Sequence, residues 1–81
     1  MSKFKYRLTD MGVKRCVKNE FYLQATLAYK GFTERIFRLL HNTEKPLTIK
    51  EISNLTGIKP RSVNGIMTFN IYAGYIKRIP V

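Results

Sequence analysis

The chain has 81 residues, 44% of them hydrophobic and 12% aromatic, which suits one small globular domain and leaves no room for a second. Fifteen Lys and Arg stand against five Asp and Glu, a formal charge of +10, and no acidic residue follows Glu51, so the expected partner is a polyanion. No apolar run approaches the roughly 18 residues of a spanning helix and the N-terminus carries no signal-peptide pattern, so no membrane partner is expected and the cytoplasm is the anticipated compartment.

One cysteine, Cys16, and one histidine, His41, exclude an intrachain disulfide and a zinc constellation within one chain. Cys16 reads as a small buried hydrophobe and His41 as a helix-terminal or surface residue. The acids Asp10, Glu20, Glu34, Glu44 and Glu51 are scattered, with no paired carboxylates and no nucleophile and base set. Neither an enzyme nor a cofactor or metal site is expected.

Residues 3–8, KFKYRL, alternate between basic and apolar, the pattern of a half-buried strand with Phe4, Tyr6 and Leu8 on one face and Lys3, Lys5 and Arg7 on the other. A helix is predicted over residues 10–30, opened by Thr9 or Asp10 and closed at Gly31. Its wheel gathers Val13, Cys16, Val17, Phe21, Leu23 and Leu27 on one broad side, interrupted by Glu20 and Gln24. The opposite side holds Met11, Tyr22, Ala25 and Tyr29 among Arg15 and Lys18, and reads either as a solvated surface or, through Tyr22, Ala25 and Tyr29, as a homodimer contact.

A short helix over 33–42 is signalled by a Thr33 cap, an early Glu34 and apolar Ile36, Phe37, Leu39 and Leu40. The next, over 48–56, opens with Thr48 three residues before Glu51, the capping-box spacing, turns Ile49, Ile52 and Leu55 inward and stops at Gly57. Ile58 reads as a buried turn residue, and Pro60 at a first helical position starts a helix over 60–73. Along it Val63, Ile66, Met67 and Ile71 can face a core, and Arg61, Ser62, Asn64, Gly65 and Thr68 lie outward. Arg and Asn make bidentate contacts to guanine and adenine edges, and Ser or Thr adapt to either. Gly65 reads as a place for close backbone approach or for packing against a neighbouring helix.

The stretch LTIKEISNLTGIKPRSVNGIMTFNIYAGYIKR, within residues 33–79, resembles the winged helix-turn-helix transcriptional regulators, including small archaeal and viral or plasmid forms. In that family a helix like TIKEISNLTG leads through a glycine and an aliphatic turn residue, here Gly57 and Ile58, into a recognition helix. Val63 stands at the family's buried valine, and Gly74, Tyr75 and Ile76 match the glycine and hydrophobic pair that end the helix and begin the wing. Asn70 departs, since the family usually has leucine there, which implies an inner face rotated onto Ile66 and Ile71. The wing's returning strand reads like YRLT followed by a glycine after two residues, and this chain carries it at its start as YRLTDMG. The resemblance therefore implies an α+β, mainly α, winged helix-turn-helix in circularly permuted order, with residues 3–8 pairing antiparallel with a wing strand over 75–80, within one chain or exchanged with a partner.

The resemblance further implies a sequence-specific double-stranded DNA-binding protein that regulates transcription as a homodimer. Arg61, Ser62, Asn64 and Thr68 would read bases. Lys50, Lys59, the helix start at Thr48, and the wing residues Lys3, Lys5, Lys77 and Arg78 would hold phosphates. No small-molecule effector is signalled. The other readings of the same features are a winged-helix module that docks proteins and a non-specific architectural DNA-binding protein.

Overall fold

The structure, a computed structural model, describes residues 4–18, 27–43 and 45–80, with residues 27–30 described through their backbone alone. Among them are four helices and a two-stranded antiparallel sheet, an α+β architecture in the order β1 (Phe4–Leu8), α1 (Asp10–Val17), α2 (Leu27–Asn42), α3 (Ile49–Thr56), α4 (Pro60–Tyr72) and β2 (Ile76–Pro80). The two ends of the chain pair with each other within one molecule, in a register running from Phe4 opposite Pro80 to Leu8 opposite Ile76. Alternation places Tyr6, Leu8 and Ile76 in the core and Lys5, Arg7 and Lys77 on the other face. Leu47 extends the sheet by a single bridge, exchanging N–H to O bonds of 2.7 and 3.1 Å with Tyr6.

Every element supplies the core, which is built from Tyr6, Leu8, Cys16, Ile36, Phe37, Leu40, Leu47, Ile52, Ile58, Val63, Ile66, Met67 and Ile76. A chain this short has too little interior to leave any element out of it.

The first helix differs from the wheel prediction. Thr9 caps α1, its hydroxyl accepting from Gly12 N–H at 3.2 Å and donating to Gly74 C=O at 2.7 Å, while its own N–H donates to Tyr75 C=O at 3.0 Å. Gly12 then packs against the backbone of Tyr75 so closely that a Cβ would collide with the Tyr75 carbonyl oxygen. Because that bare position is the contact, the buried line of α1 runs through Gly12, Arg15 and Cys16. Arg15, expected on the outer side, is buried, and Val17, expected inside, is 69% exposed. The helix is described as far as Val17, with Lys18 as its cap, and residues 19–26 lie outside the described residues.

The expected stop at Gly31 and start at Thr33 are also corrected: α2 runs through both without a break. Positive φ is confined, among the described glycines, to Gly57 and Gly74, so Gly31 keeps helical backbone at a cost of about 1 kcal/mol relative to alanine. Thr33 is fully buried in mid-helix. It joins Ile36, Phe37 and Leu40 on one stripe, and burial of that stripe outweighs the glycine penalty.

Asn70 is the residue that the wheel left without a role. It is fully buried in line with Val63, Ile66 and Met67, so the inner face of α4 is not rotated away from it, and Ile71 is half-buried beside that line. Its Nδ2 donates to Ile66 C=O at 2.8 Å and its Oδ1 accepts from Arg15 Nη1 at 3.2 Å. The Arg15 guanidinium also lies 4.6 Å from the Tyr75 ring centre and 5.3 Å from that of Phe37. A buried cation is tolerated when hydrogen bonds and ring faces replace water.

Replacing Asn70 by Leu removes an acceptor from this buried cation and is expected to destabilise the domain by about 1–3 kcal/mol, although leucine is the more apolar residue. Adding Arg15→Met to Asn70→Leu should restore part of the loss. Urea unfolding of the wild type, both single variants and the double variant measures the coupling; additive losses contradict it.

Candidate nucleic-acid interface

The chain between α3 and α4 is fixed by hydrogen bonds at each residue. Gly57 takes the left-handed conformation, φ 75°, and its N–H donates to Ser53 C=O at 2.9 Å. Ser53 Oγ donates to Ile58 C=O at 2.6 Å, and Ile58 N–H donates to Thr56 Oγ1 at 3.3 Å, which sets Ile58 into the core. Arg35 reaches from α2 to donate to Thr56 C=O at 3.1 Å, a cation on the carbonyl end of α3. Lys59 is extended, as a residue before proline must be, and Pro60 opens α4 with neither a side-chain cap nor an acid in its first turn.

The start of α3 is closed in another way. Thr48 Oγ1 accepts from Glu51 N–H at 3.1 Å and Glu51 Oε1 accepts from Thr48 N–H at 3.0 Å, the reciprocal capping box. These bonds hold the Glu51 carboxyl below its ordinary range, and the charges of Lys45 and Lys5 push the same way. The Tyr6 to Leu47 bridge thus brings Lys5 and Lys45 to the α3 start. Since its hydroxyl is engaged with Glu51 N–H and its N–H with the Glu51 carboxylate, Thr48 offers little to a phosphate, whereas Lys50 is exposed in the first turn of α3.

On α4, Val63, Ile66 and Met67 are buried and Arg61, Asn64, Gly65 and Thr68 exposed, as the periodicity reads them, whereas Asn70 takes the buried place expected of Ile71 and Ser62, expected outward, is half-buried. Nothing described lies within 4 Å of where a Gly65 side chain would begin, so among the described residues no neighbouring helix packs against this glycine. Thr68 Oγ1 donates to Asn64 C=O at 2.9 Å. Two residues of this face escaped the sequence reading: Phe69 is 61% exposed and Tyr72 96%. The signal was available, because Tyr72 continues the line Arg61, Gly65, Thr68 at helical spacing and Phe69 flanks it, both off the inner stripe. Leu55 is also corrected, being 65% exposed: the inward stripe of α3 runs through Ile49, Ile52 and Thr56 and leaves it on the flank.

The sheet groups Lys5, Arg7 and Lys77 on one face, with Arg7 directly opposite Lys77. Arg78 belongs to the other face, where its guanidinium stacks 4.3 Å from the Phe4 ring centre. Arg7, not singled out as a contact residue in the sequence, takes its place beside Lys77. Lys3, Tyr22 and Ala25 lie outside the described residues, as does the side chain of Tyr29. Among the described residues no helix is long and apolar enough to cross a membrane, and no three potential metal ligands gather. Cys16 is buried, and burial pushes its thiol up. No family model, curated protein or solved structure matches this chain.

Because the Glu51 carboxyl is held down in the folded state, its capping bonds add stability above the ordinary carboxylate range and lose it as pH falls through the folded value. Wild type should therefore be more resistant to urea than Glu51→Gln at pH 7, with the gap narrowing as pH falls below the ordinary carboxylate range. A gap unchanged across that range contradicts the assignment.

Proposed function

We propose that this chain is a winged helix-turn-helix protein that binds double-stranded DNA and regulates transcription. The observation that carries the reading is the division of α4, buried on Val63, Ile66, Met67 and Asn70, and on its outer side exposing donors and a bare glycine with no acid. On this reading α3, the Gly57 to Lys59 turn and α4 form the helix-turn-helix, with α4 in the major groove and β1 and β2 as the wing.

Arg61 and Asn64 have the geometry for bidentate contacts to base edges, and Ser62 stands beside them at the helix start. The uncapped first turn of α4, flanked by Lys59 and Arg61, suits a backbone phosphate, and Lys50 adds a second positive charge. Like charges directly opposite on a sheet repel, so Arg7 and Lys77 raise the energy of the free protein, and a phosphate between them relieves it. Arg78 supports this face from behind by holding Phe4. A homodimer follows from the twofold symmetry common to operators and their proteins.

Selection of bound duplexes from a randomised pool at near-physiological salt should yield a motif with half-sites about one helical turn apart. Arg61→Ala should relax the preference at one base pair by roughly 1–3 kcal/mol. An equal loss on all sequences reduces Arg61 to a phosphate contact. Absence of any motif transfers the reading to architectural binding, which the +10 charge also suits, or to protein docking.

A further inference from the structure

Phe69 and Tyr72 are large apolar groups exposed on the helix face that the proposed function assigns to DNA. Together they offer roughly 300–400 Å², short of the about 800 Å² that each side of a stable protein interface buries. The stripe they extend carries a cation and no acid: Arg61 heads it, and no acid occurs from residue 52 to the end of the chain. An occupant that is polyanionic and yet presents apolar groups in a groove is duplex DNA, whose thymines project a 5-methyl group into the major groove.

Thr68 points to the same occupant. Its hydroxyl is turned back onto Asn64 C=O, so the group it presents outward is the γ-methyl. Gly65, one turn earlier, has open space where a side chain would stand, so the helix can come close at this level. Thr68 lies seven residues beyond Arg61, about 10 Å along the helix axis, or roughly three base-pair steps.

Resting on the reading of α4 as the groove helix, we infer that Thr68 and Phe69 form an apolar patch that reads thymine methyl groups about three base pairs from the base contacted by Arg61. The patch distinguishes thymine from cytosine by contact with the methyl, without a hydrogen bond. Tyr72, at the distal end of the stripe, lies against the sugar-phosphate edge, where its hydroxyl can donate to a phosphate oxygen.

The test uses the 81-residue chain and its selected duplex, with each thymine replaced in turn by deoxyuridine, which pairs identically and lacks only the methyl. Loss of one buried methyl should weaken binding by about fourfold at one or two positions, and by little elsewhere. Phe69→Ala should bind the thymine duplex more weakly and lose the distinction between thymine and uracil at those positions. Because Phe69 is exposed, this variant should melt with the wild type, which separates contact from folding. Specific binding that is insensitive to uracil at every position overturns the methyl patch and leaves the DNA reading intact. Phe69→Ala that weakens both duplexes equally also overturns it, and a fall in sedimentation coefficient in the same variant assigns the face to a second copy of the chain. Failure to select any duplex overturns the DNA reading itself, and the patch with it.

Discussion

The close approach of Gly12 to the Tyr75 backbone is the contact on which the remaining geometry depends. It lets α1 lie directly on the corner between α4 and β2, and the Thr9 hydroxyl ties the same corner to Gly74. From there Arg15 is carried inside, where its partners are Asn70 on α4 and the ring of Tyr75. The two ends of the chain are held side by side by these contacts and by the ladder from Leu8 and Ile76 outward. The orientation of α4 is fixed from both sides, by Arg15 on Asn70 and by the locked turn at Gly57 and Ile58. A recognition surface needs a rigid support of this kind, because side chains that read bases must be placed to within a fraction of an ångström.

Elements with a local cause were legible from sequence. Alternation in KFKYRL, the Thr48 and Glu51 spacing, the glycine stop at 57 and the proline at 60 each act within a few residues, and each is found where the pattern put it. Antiparallel pairing of the chain ends was expected from the resemblance of YRLTDMG to a returning wing strand, which left open whether it lies within one chain; the ladder from Phe4 opposite Pro80 to Leu8 opposite Ile76 lies within one. What could not be read from periodicity was any choice made by a distant contact. The rotation of α1 depends on a backbone carbonyl more than sixty positions away. Continuity of α2 through Gly31 depends on the burial of the stripe that carries Ile36, Phe37 and Leu40, which outweighs local propensity. Asn70 looked like a defect in an apolar stripe because its partner, Arg15, looked like a surface residue; neither makes sense without the other.

The candidate interface shows the same division. The outward set Arg61, Asn64, Gly65 and Thr68 follows from the helical period, whereas the exchange of Arg78 for Arg7 on the outer sheet face follows from a strand register that composition does not reveal. Opposed Arg7 and Lys77, an uncapped α4 start and an acid-free C-terminal segment are each unfavourable or unused in the free protein. All three become favourable beside phosphates, which is the physical reason for preferring a nucleic-acid partner to a generic soluble one.

The central claim is that the outer face of α4 and the outer face of the sheet together contact duplex DNA. Titration of isotopically labelled protein with a short duplex, followed by backbone and side-chain nuclear magnetic resonance shifts, tests it most directly. The account predicts the largest changes at Arg61, Asn64, Gly65 and Thr68, accompanied by Lys5, Arg7 and Lys77, with the buried Arg15 and Asn70 unmoved. Changes confined to the outer faces of α1 and α2, around Lys14, Lys18 and Arg38, would contradict it and place the contact on the opposite elements of the fold.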